Sequence, residues 1–394
     1  MMIQPINKRR SEANGIKNVK YIYTLILDMN NIMRMASVDH KMNDEGKEYG
    51  IILTSLRMIG DILKKKDFDY CIGCYDGVGS GVLRWQYYKD YKANRDKNYK
   101  LHDPNMSDYD KKLLEYERYI ITKSRGKSEK EKEDESFARQ KSILQSILDE
   151  LCIRQFEYEN VEGDDIISYY VHNKKDNEKV VIVSSDKDLT QLISDTVVVY
   201  NPRKKGFITR DNAVDEIGVL PENVVLEKVI CGDVSDNIKG IKGIGNDTLA
   251  KLFPKLRSEK LDLKAIMDAS REILEERRKA KKKPLKSLEN IINGVTDGSQ
   301  GKRIYEINEK IIDLSVPLLT EEAKESLDDE LYAPMDTSER DTKNIYNIVT
   351  ENKINEILDE GRFGDILGPY GRIIMMENRR YEHFLQKNAT FSDE

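Results

Sequence analysis

The chain has 394 residues, 35% of them charged and 39% hydrophobic, with a formal net charge of −6. Mean hydropathy is −0.65, and no apolar run approaches the roughly 20 residues a membrane-spanning helix requires. Those values set aside a helical membrane protein and suit one large domain or a core with attached modules. The first twenty residues are polar and basic without the apolar stretch of a secretory signal, and four scattered cysteines fit a reducing, cytoplasmic setting. Cys71 and Cys74 have C-x-x-C spacing, but they sit in an apolar run with no second pair to complete a zinc site, so they read as core. An isoelectric point near 5.6 argues against a uniformly basic nucleic-acid binder, although the distribution of charge outweighs its total.

Tyr21–Leu27 is rich in aromatic, aliphatic and β-branched residues and reads as a first strand ending on Asp28, with a helical pattern after Asn30 and Asn31. Residues 49–66 read as an amphipathic helix. A second strand over Asp69–Tyr75 ends on Asp76. Arg84–Arg95 interleaves Arg84, Lys89, Lys92 and Arg95 with Trp85, Tyr88 and Tyr91. On a helix this would give a basic stripe beside an aromatic row, suited to phosphates and bases; a solvated face over an aromatic contact would look the same. From Asp96 to about Asn160 the chain is densely charged and lacks strand signals, with helices expected over 107–119 and 129–150. Such an excursion is either a clamp or a surface helical hairpin.

Glu162, Asp164 and Asp165 then stand at the start of a helix, and Asp186 and Asp188 follow a buried strand over Lys179–Val183. Alternating strands and helices predict a parallel sheet whose carboxyl edge would gather Asp28, Asp76 and Asp186. Two carboxylates ~4 Å apart repel by roughly 4 kcal/mol at an effective dielectric of 20. A converging set therefore calls for a hard divalent cation; helix capping alone would also place acids at a helix start. A further helix is expected over Leu189–Ile193, a strand over Thr196–Tyr200 and a turn over Asn201–Gly206. A helix from Pro221 to Cys231 leads into Asp233, Asp236 and the glycines 240, 243 and 245, before another helix over Thr248–Phe253. Glycines between helices permit close backbone approach to phosphate. Arg277–Lys283 holds six basic residues in seven, a DNA-flanking patch or a solvated linker, with the linker preferred. Helices are expected over Arg303–Leu319, 341–359 and Gly371–Phe384.

In these acids and their order the chain resembles the 5′-nuclease superfamily: flap endonucleases, phage 5′→3′ exonucleases including those with ribonuclease H activity, and the nuclease domain of bacterial DNA polymerase I. The resemblance covers about Tyr21 to Phe253. It implies an α/β fold, a PIN-like 5′-nuclease core with a central mostly parallel sheet flanked by helices. To that core it adds a helical arch (about 96–160), a helix–three-turn–helix DNA-binding module and a helical C-terminal region. The expected boundaries are a tail over 1–20, a core over 21–215 and a second part over 216–394. The stretch from Leu256 to Gly301 is longer than the core fold accounts for.

The same likeness assigns two Mg²⁺ or Mn²⁺ ions. Asp28, Asp76, Glu162 and Asp164 would surround one, and Asp165, Asp186, Asp188 and Asp233 the other, with Asp236 partly through water. Gly163 replaces the family's usual alanine. Lys92 and Arg95 would join the acids as catalytic residues at the scissile phosphate. DNA contacts would fall to Arg84, Lys89, Lys92, Arg95, Gly240, Lys242, Gly243, Gly245 and Asn246, with K⁺ at the last turn in some relatives. The implied activity is metal-dependent 5′→3′ exonuclease and flap cleavage of DNA and RNA–DNA duplexes, removing RNA primers. The implied protein is a free-standing monomer working beside a single-stranded-DNA-binding protein or a sliding clamp. A PIN-like single-stranded ribonuclease and a non-catalytic DNA-structure-binding scaffold are the alternatives.

Overall fold

The computed structural model describes residues 20–93, 128–299, 301–356 and 360–391. Six strands form one sheet: β1 (Ile22–Asp28), β2 (Tyr70–Asp76), β3 (Arg154–Tyr158), β4 (Glu178–Val183), β5 (Val197–Asn201) and β6 (Gly206–Ile208). Their order is β3-β2-β1-β4-β5-β6. All pairings are parallel except β5 with β6. The chain builds outward from β1 through β2 to β3, then returns to the other side of β1 for β4. That reversal opens a crevice at the carboxyl ends of β1 and β4, the place where open α/β sheets bind ligands.

Both faces are covered, and the two-residue period of each strand sorts its side chains accordingly. Leu25, Leu27, Cys71, Tyr75, Val181 and Val183 join the helices Met29–Ala36, Gly50–Leu63 and Glu129–Glu150 in one core. Ile26, Ile72, Cys74, Val180 and Ile182 join the helix Gly163–Asn173 in a second. A third core lies beyond the sheet and unites Trp85 and Tyr91 with Val224, Ile230, Leu249, Ile266, Leu288, Tyr305 and Ile311. The stretch 256–301 belongs to it: helices Leu263–Lys279 and Lys286–Asn293 bury Ile266, Met267, Leu288 and Ile291 there.

The C-terminal part returns to the sheet. Ile345, Val349, Phe363, Tyr370 and Ile373 enter the first core, while Leu314, Leu327 and Leu331 enter the second. The expected boundary at 215 therefore does not separate cores. Glu178, 0% exposed, fastens this return. It accepts hydrogen bonds from Tyr170 Oη at 2.5 Å and Tyr332 Oη at 2.6 Å, and also from Thr24 Oγ1.

Several expectations need correction. β3 lies in a stretch that carries no strand signal, because it is an edge strand whose Arg154, Gln155 and Glu157 obscure the pattern. Its Arg154 guanidinium donates to the carbonyls of Glu330 and Ala333. The helix expected over Arg84–Arg95 is one turn, Val82–Trp85; turns follow it to Ala93, and Lys92 has a left-handed φ of 52°. Residues 188–192 form a 3₁₀ turn, as do 221–223 before the helix Val224–Cys231. The helix from Arg303 stops at Ile312, and the helix over the 341–359 stretch spans Thr342–Glu351. The helix expected over 107–119 and most of the expected arch lie outside the described residues. All four cysteines are free, and Cys71 and Cys74 are buried.

Tyr332→Phe removes one donor from the buried Glu178 carboxylate. It is expected to destabilise the protein by about 1–3 kcal/mol in urea unfolding, with no change in secondary structure by circular dichroism.

Candidate metal centre and nucleic-acid interface

β1 and β2 each end on an aspartate, which turns the carboxyl edge acidic. Asp28 caps the following helix by accepting from Asn31 N at 3.0 Å, and its other oxygen accepts from Ser184 Oγ at 2.7 Å. Asp76 accepts from Gly163 N at 2.8 Å and Asn30 Nδ2 at 2.7 Å. The amide of Gly163 is the first of the helix carrying Asp164 and Asp165, so Asp76 positions that helix start. A side chain at 163 would meet the Asp76 carboxylate at 3.3 Å. Asn31 Oδ1 accepts from the amide and the hydroxyl of Ser185, both at 2.9 Å, which aligns the loop after β4.

These neighbours do not neutralise the edge. Burial raises Asp28 to about 7, and repulsion from Asp76 and Asp186 adds to the rise. Burial likewise lifts Asp164 well above the carboxylate range, reinforced by Asp28, Asp186, Asp76 and Glu162. Asp186 is exposed, and its Oδ1 accepts from the amide of Asp188 at 2.9 Å.

Glu162, 4% exposed, has cations around it. Lys92 Nζ lies 2.9 Å from its Oε1, Tyr91 Oη donates to Oε2 at 3.0 Å, and Arg84 Nη1 is 3.4 Å from Oε2. Burial works against its charge, but Lys92 and Arg84 outweigh it and hold the carboxyl low. Burial likewise disfavours the charged Lys92, yet Glu162, Tyr91 and Asp236 hold its ammonium well above the usual range.

A second acid group forms around the turn after the helix Val224–Cys231. Asp188, Asp233 and Asp236 each offer an oxygen within 4.8 Å of the others. Lys228 Nζ pairs with Asp233 Oδ2 at 2.6 Å and also with Asp188. Lys228 and Ser235 hold Asp233 down at about 2 against its burial. Tyr91 Oη bridges to Asp236 Oδ2 at 3.2 Å, and the amide of Lys92 donates to the Asp236 carbonyl at 2.9 Å. The Tyr91–Lys92 turn is therefore tied to both acid groups.

Three assigned residues make contacts other than those expected. Asp165, expected as a metal ligand, is 1% exposed. Its oxygens take Arg84 Nη1 at 2.5 Å, Arg84 Nη2 at 3.1 Å and Leu318 N at 2.9 Å. Arg84, expected at the DNA surface, is buried in that pair and donates through Nε to the Ile311 carbonyl at 2.9 Å. Asp186, expected beside Asp188 at the second ion, acts electrostatically on Asp28 and Asp164. Lys89 is exposed, and Arg95 lies outside the described residues.

The turn 232–245 is built by close backbone contact. Gly232 and Asp233 pair with Lys239 and Ile238 in a two-residue ladder, β7 with β8. A Cβ on Gly240 would sit 1.9 Å from the Cys231 carbonyl, so only glycine fits. Gly243, with φ 78°, Gly245 and Asn246 lie on the exposed rim with Lys242, whose Nζ pairs with Asp297 at 2.7 Å. Asn30, Asn31, Ser184, Tyr91 and Lys228 are site residues that the motif reading did not assign. Asn30 and Asn31 adjoin Asp28 in sequence and were the most accessible signal.

The donors are carboxylates and amide or hydroxyl oxygens, the chemistry of a hard divalent ion. The residues fit such ions: Asp28 and Asp164 are destabilised by like charge that a cation would relieve, and Lys228 already places one positive charge between Asp188 and Asp233.

Residues 23–218 match the family described as the 5′-3′ exonuclease N-terminal resolvase-like domain. The chain is 30% identical over 243 residues to the 5′-3′ exonuclease of Aquifex aeolicus, covering 61% of this chain and 70% of that protein. It is 33% identical over 156 residues to DNA polymerase I of Bacillus subtilis, 38% of this chain but 18% of that protein. It is 33% identical over 150 residues to the 5′-3′ exonuclease of Mycoplasmopsis pulmonis, 35% of this chain and half of that protein. The chain thus spans half or less of these last two relatives. The structure of T5 5′-exonuclease with bound zinc shares the fold, with a TM-score of 0.50 at 16% identity over 90% of this chain and 98% of that one.

Arg84→Met leaves Asp165 buried without its partner and is expected to cost about 3–5 kcal/mol in urea unfolding. The double variant Arg84→Met/Asp165→Leu recovers a large part of that loss. Lys228→Met leaves Asp188 and Asp233 without a counter-charge. The expected result is a lower melting temperature in EDTA and a larger stabilisation by Mg²⁺ than in the unmodified protein.

Proposed function

Because the chain belongs to the 5′-3′ exonuclease family, we propose that it is a divalent-metal-dependent phosphodiesterase cutting duplexes with a free or flapped 5′ end. The observation that carries this reading is the crowding of Asp28, Asp76, Glu162, Asp164 and Asp186 beside the group Asp188, Asp233 and Asp236. Two Mg²⁺ or Mn²⁺ ions held there would supply an ionised water at neutral pH and would offset charge on the leaving oxygen. Asp28, Asp76, Glu162, Asp164 and Asp186 would hold the first ion, and Asp188, Asp233 and Asp236 the second. Asp165 positions the site through Arg84, whose guanidinium also faces Glu162.

Lys92, paired with Glu162 at 2.9 Å and not fully buried, is the cation of the basic stretch that a substrate can reach, and its role is to meet the scissile phosphate. Arg95 adds to it from the same stretch. The exposed rim Lys242–Asn246 contacts duplex phosphates through backbone amides and the Lys242 ammonium, a mode that reads backbone shape and not base sequence. K⁺ at this turn is part of the proposal. So are DNA and RNA–DNA substrates, RNA-primer removal, action as a monomer in the cytoplasm, and a single-stranded-DNA-binding protein or sliding clamp as partner. Among the described residues no helix is long and apolar enough to cross a membrane. The duplex-binding rim favours this reading over a single-stranded ribonuclease.

A 5′-labelled, RNA-primed flap duplex is expected to be cut near its junction with Mg²⁺ and left intact in EDTA. Asp186→Asn is expected to lower the rate by on the order of 10²-fold. Cleavage at the full rate in EDTA or by Asp186→Asn would overturn the proposal.

A further inference from the structure

The stretch 256–301 has no task in the chemistry above, yet it carries the densest positive charge in a net-negative chain. Seven of the ten residues from 277 to 286 are Lys or Arg and none is acidic. A helix C-terminus attracts cations, which accounts for Arg277, Arg278 and Lys279 in the last turn of Leu263–Lys279. It does not account for Lys281, Lys282, Lys283 and Lys286, which lie beyond that helix.

This segment is a folded turn and not a linker. Lys281 N donates to the Arg278 carbonyl at 3.0 Å, and Lys282 N to the Arg277 carbonyl at 2.8 Å. Arg277 Nε donates back to the Lys283 carbonyl at 2.9 Å. On each side a helix is anchored in the third core, through Ile266 and Met267 before the turn and Leu288 and Ile291 after it. The side chains themselves stay outside: Arg278 is 80% exposed and Lys279 75%. Among the described residues Glu275 is the one carboxylate paired with the cluster, through Arg278 at 2.9 Å and Lys279 at 4.0 Å. One carboxylate offsets little of seven positive charges held together.

The turn is also mechanically linked to the duplex-binding rim. The helix Lys286–Asn293 begins at the basic turn, and Asn290 on it donates from Nδ2 to the Lys242 carbonyl at 2.8 Å. The Lys242 amide in turn donates to the Val295 carbonyl at 2.8 Å. Lys286 precedes Asn290 by about one helical turn, ~6 Å along the axis. With 3.4 Å per base pair in each strand, the basic turn lies only a few base pairs from the rim.

We infer that the basic turn Arg277–Lys286 is a second nucleic-acid contact, gripping the phosphate backbone of the same DNA duplex beyond the Gly240–Asn246 rim. The inference rests on the nuclease reading and adds a surface to it. The contact is backbone-directed, so it raises affinity without base preference and depends on salt and on duplex length.

The test is fluorescence-anisotropy binding of the full-length protein to 5′-flap duplexes in Ca²⁺, with downstream duplexes of about 6 and about 20 base pairs. The unmodified protein is compared with Lys281→Ala/Lys282→Ala/Lys283→Ala and with the triple Lys→Arg replacement. On the long duplex the alanine variant is expected to bind about tenfold more weakly, with the log–log salt slope shallower by about 2 to 3. On the short duplex, which offers the turn fewer phosphates, its deficit is expected to be smaller, and the arginine variant is expected to bind normally throughout. Equal binding by all three proteins on the long duplex, with an unchanged salt slope, overturns the inference while leaving the nuclease reading intact. Failure of the unmodified protein to bind any flap duplex overturns both.

Discussion

Like-charge repulsion at the carboxyl edge of the sheet is the constraint on which the rest of the structure depends. Two strands deliver Asp28 and Asp76, a helix start delivers Glu162, Asp164 and Asp165, and the loops after β4 and after the helix Val224–Cys231 supply the remaining acids. Left alone, such a set favours protonation or rearrangement, and the raised Asp28 and Asp164 show that the cost is present. The fold answers with distributed counter-charge. Arg84 takes Asp165, Lys92 takes Glu162 and Lys228 spans Asp188 and Asp233. Where no ammonium or guanidinium reaches, serine, asparagine and backbone donors hold the carboxylates in place without cancelling their charge.

That division gives the site its chemistry. Asp165, fully taken up by Arg84, is a structural anchor: the pair joins the turn carrying Arg84 to the Ile311 carbonyl and the Leu318 amide. The acids left crowded are those that a hard divalent ion would stabilise. Tyr91 spans the two groups, from Glu162 to Asp236, so a change in one acid group is felt at the other through a single buried ring.

Much of this was legible in the sequence, and the failures have specific causes. β1, β2 and β4 announced themselves because their apolar runs end at acids, and a parallel sheet then places those acids on one edge. β3 did not, since an edge strand tolerates Arg154, Gln155 and Glu157 once the arginine finds carbonyls far along the chain. Arg84 looked like a DNA contact because its local company is basic and aromatic; its partner Asp165 is 81 positions away and invisible to local spacing. Lys228 reads as one more charge on a helix until the turn after Cys231 brings Asp233 back beneath it. The packing across position 215 was illegible for a related reason. Ile345, Phe363 and Tyr370 carry ordinary amphipathic patterns that do not say which core they enter, and they enter that of the first strand. Arg95 and the 107–119 segment lie outside the described residues.

The most direct test of the central claim is anomalous diffraction from crystals of the protein grown with Mn²⁺. The account predicts two peaks at the sheet edge. One lies among Asp28, Asp76, Glu162, Asp164 and Asp186, and the other among Asp188, Asp233 and Asp236, with the Lys228 ammonium displaced from its present position. A well-ordered crystal in saturating Mn²⁺ with no peak among these carboxylates, and with Lys228 still bridging Asp188 and Asp233, would contradict it.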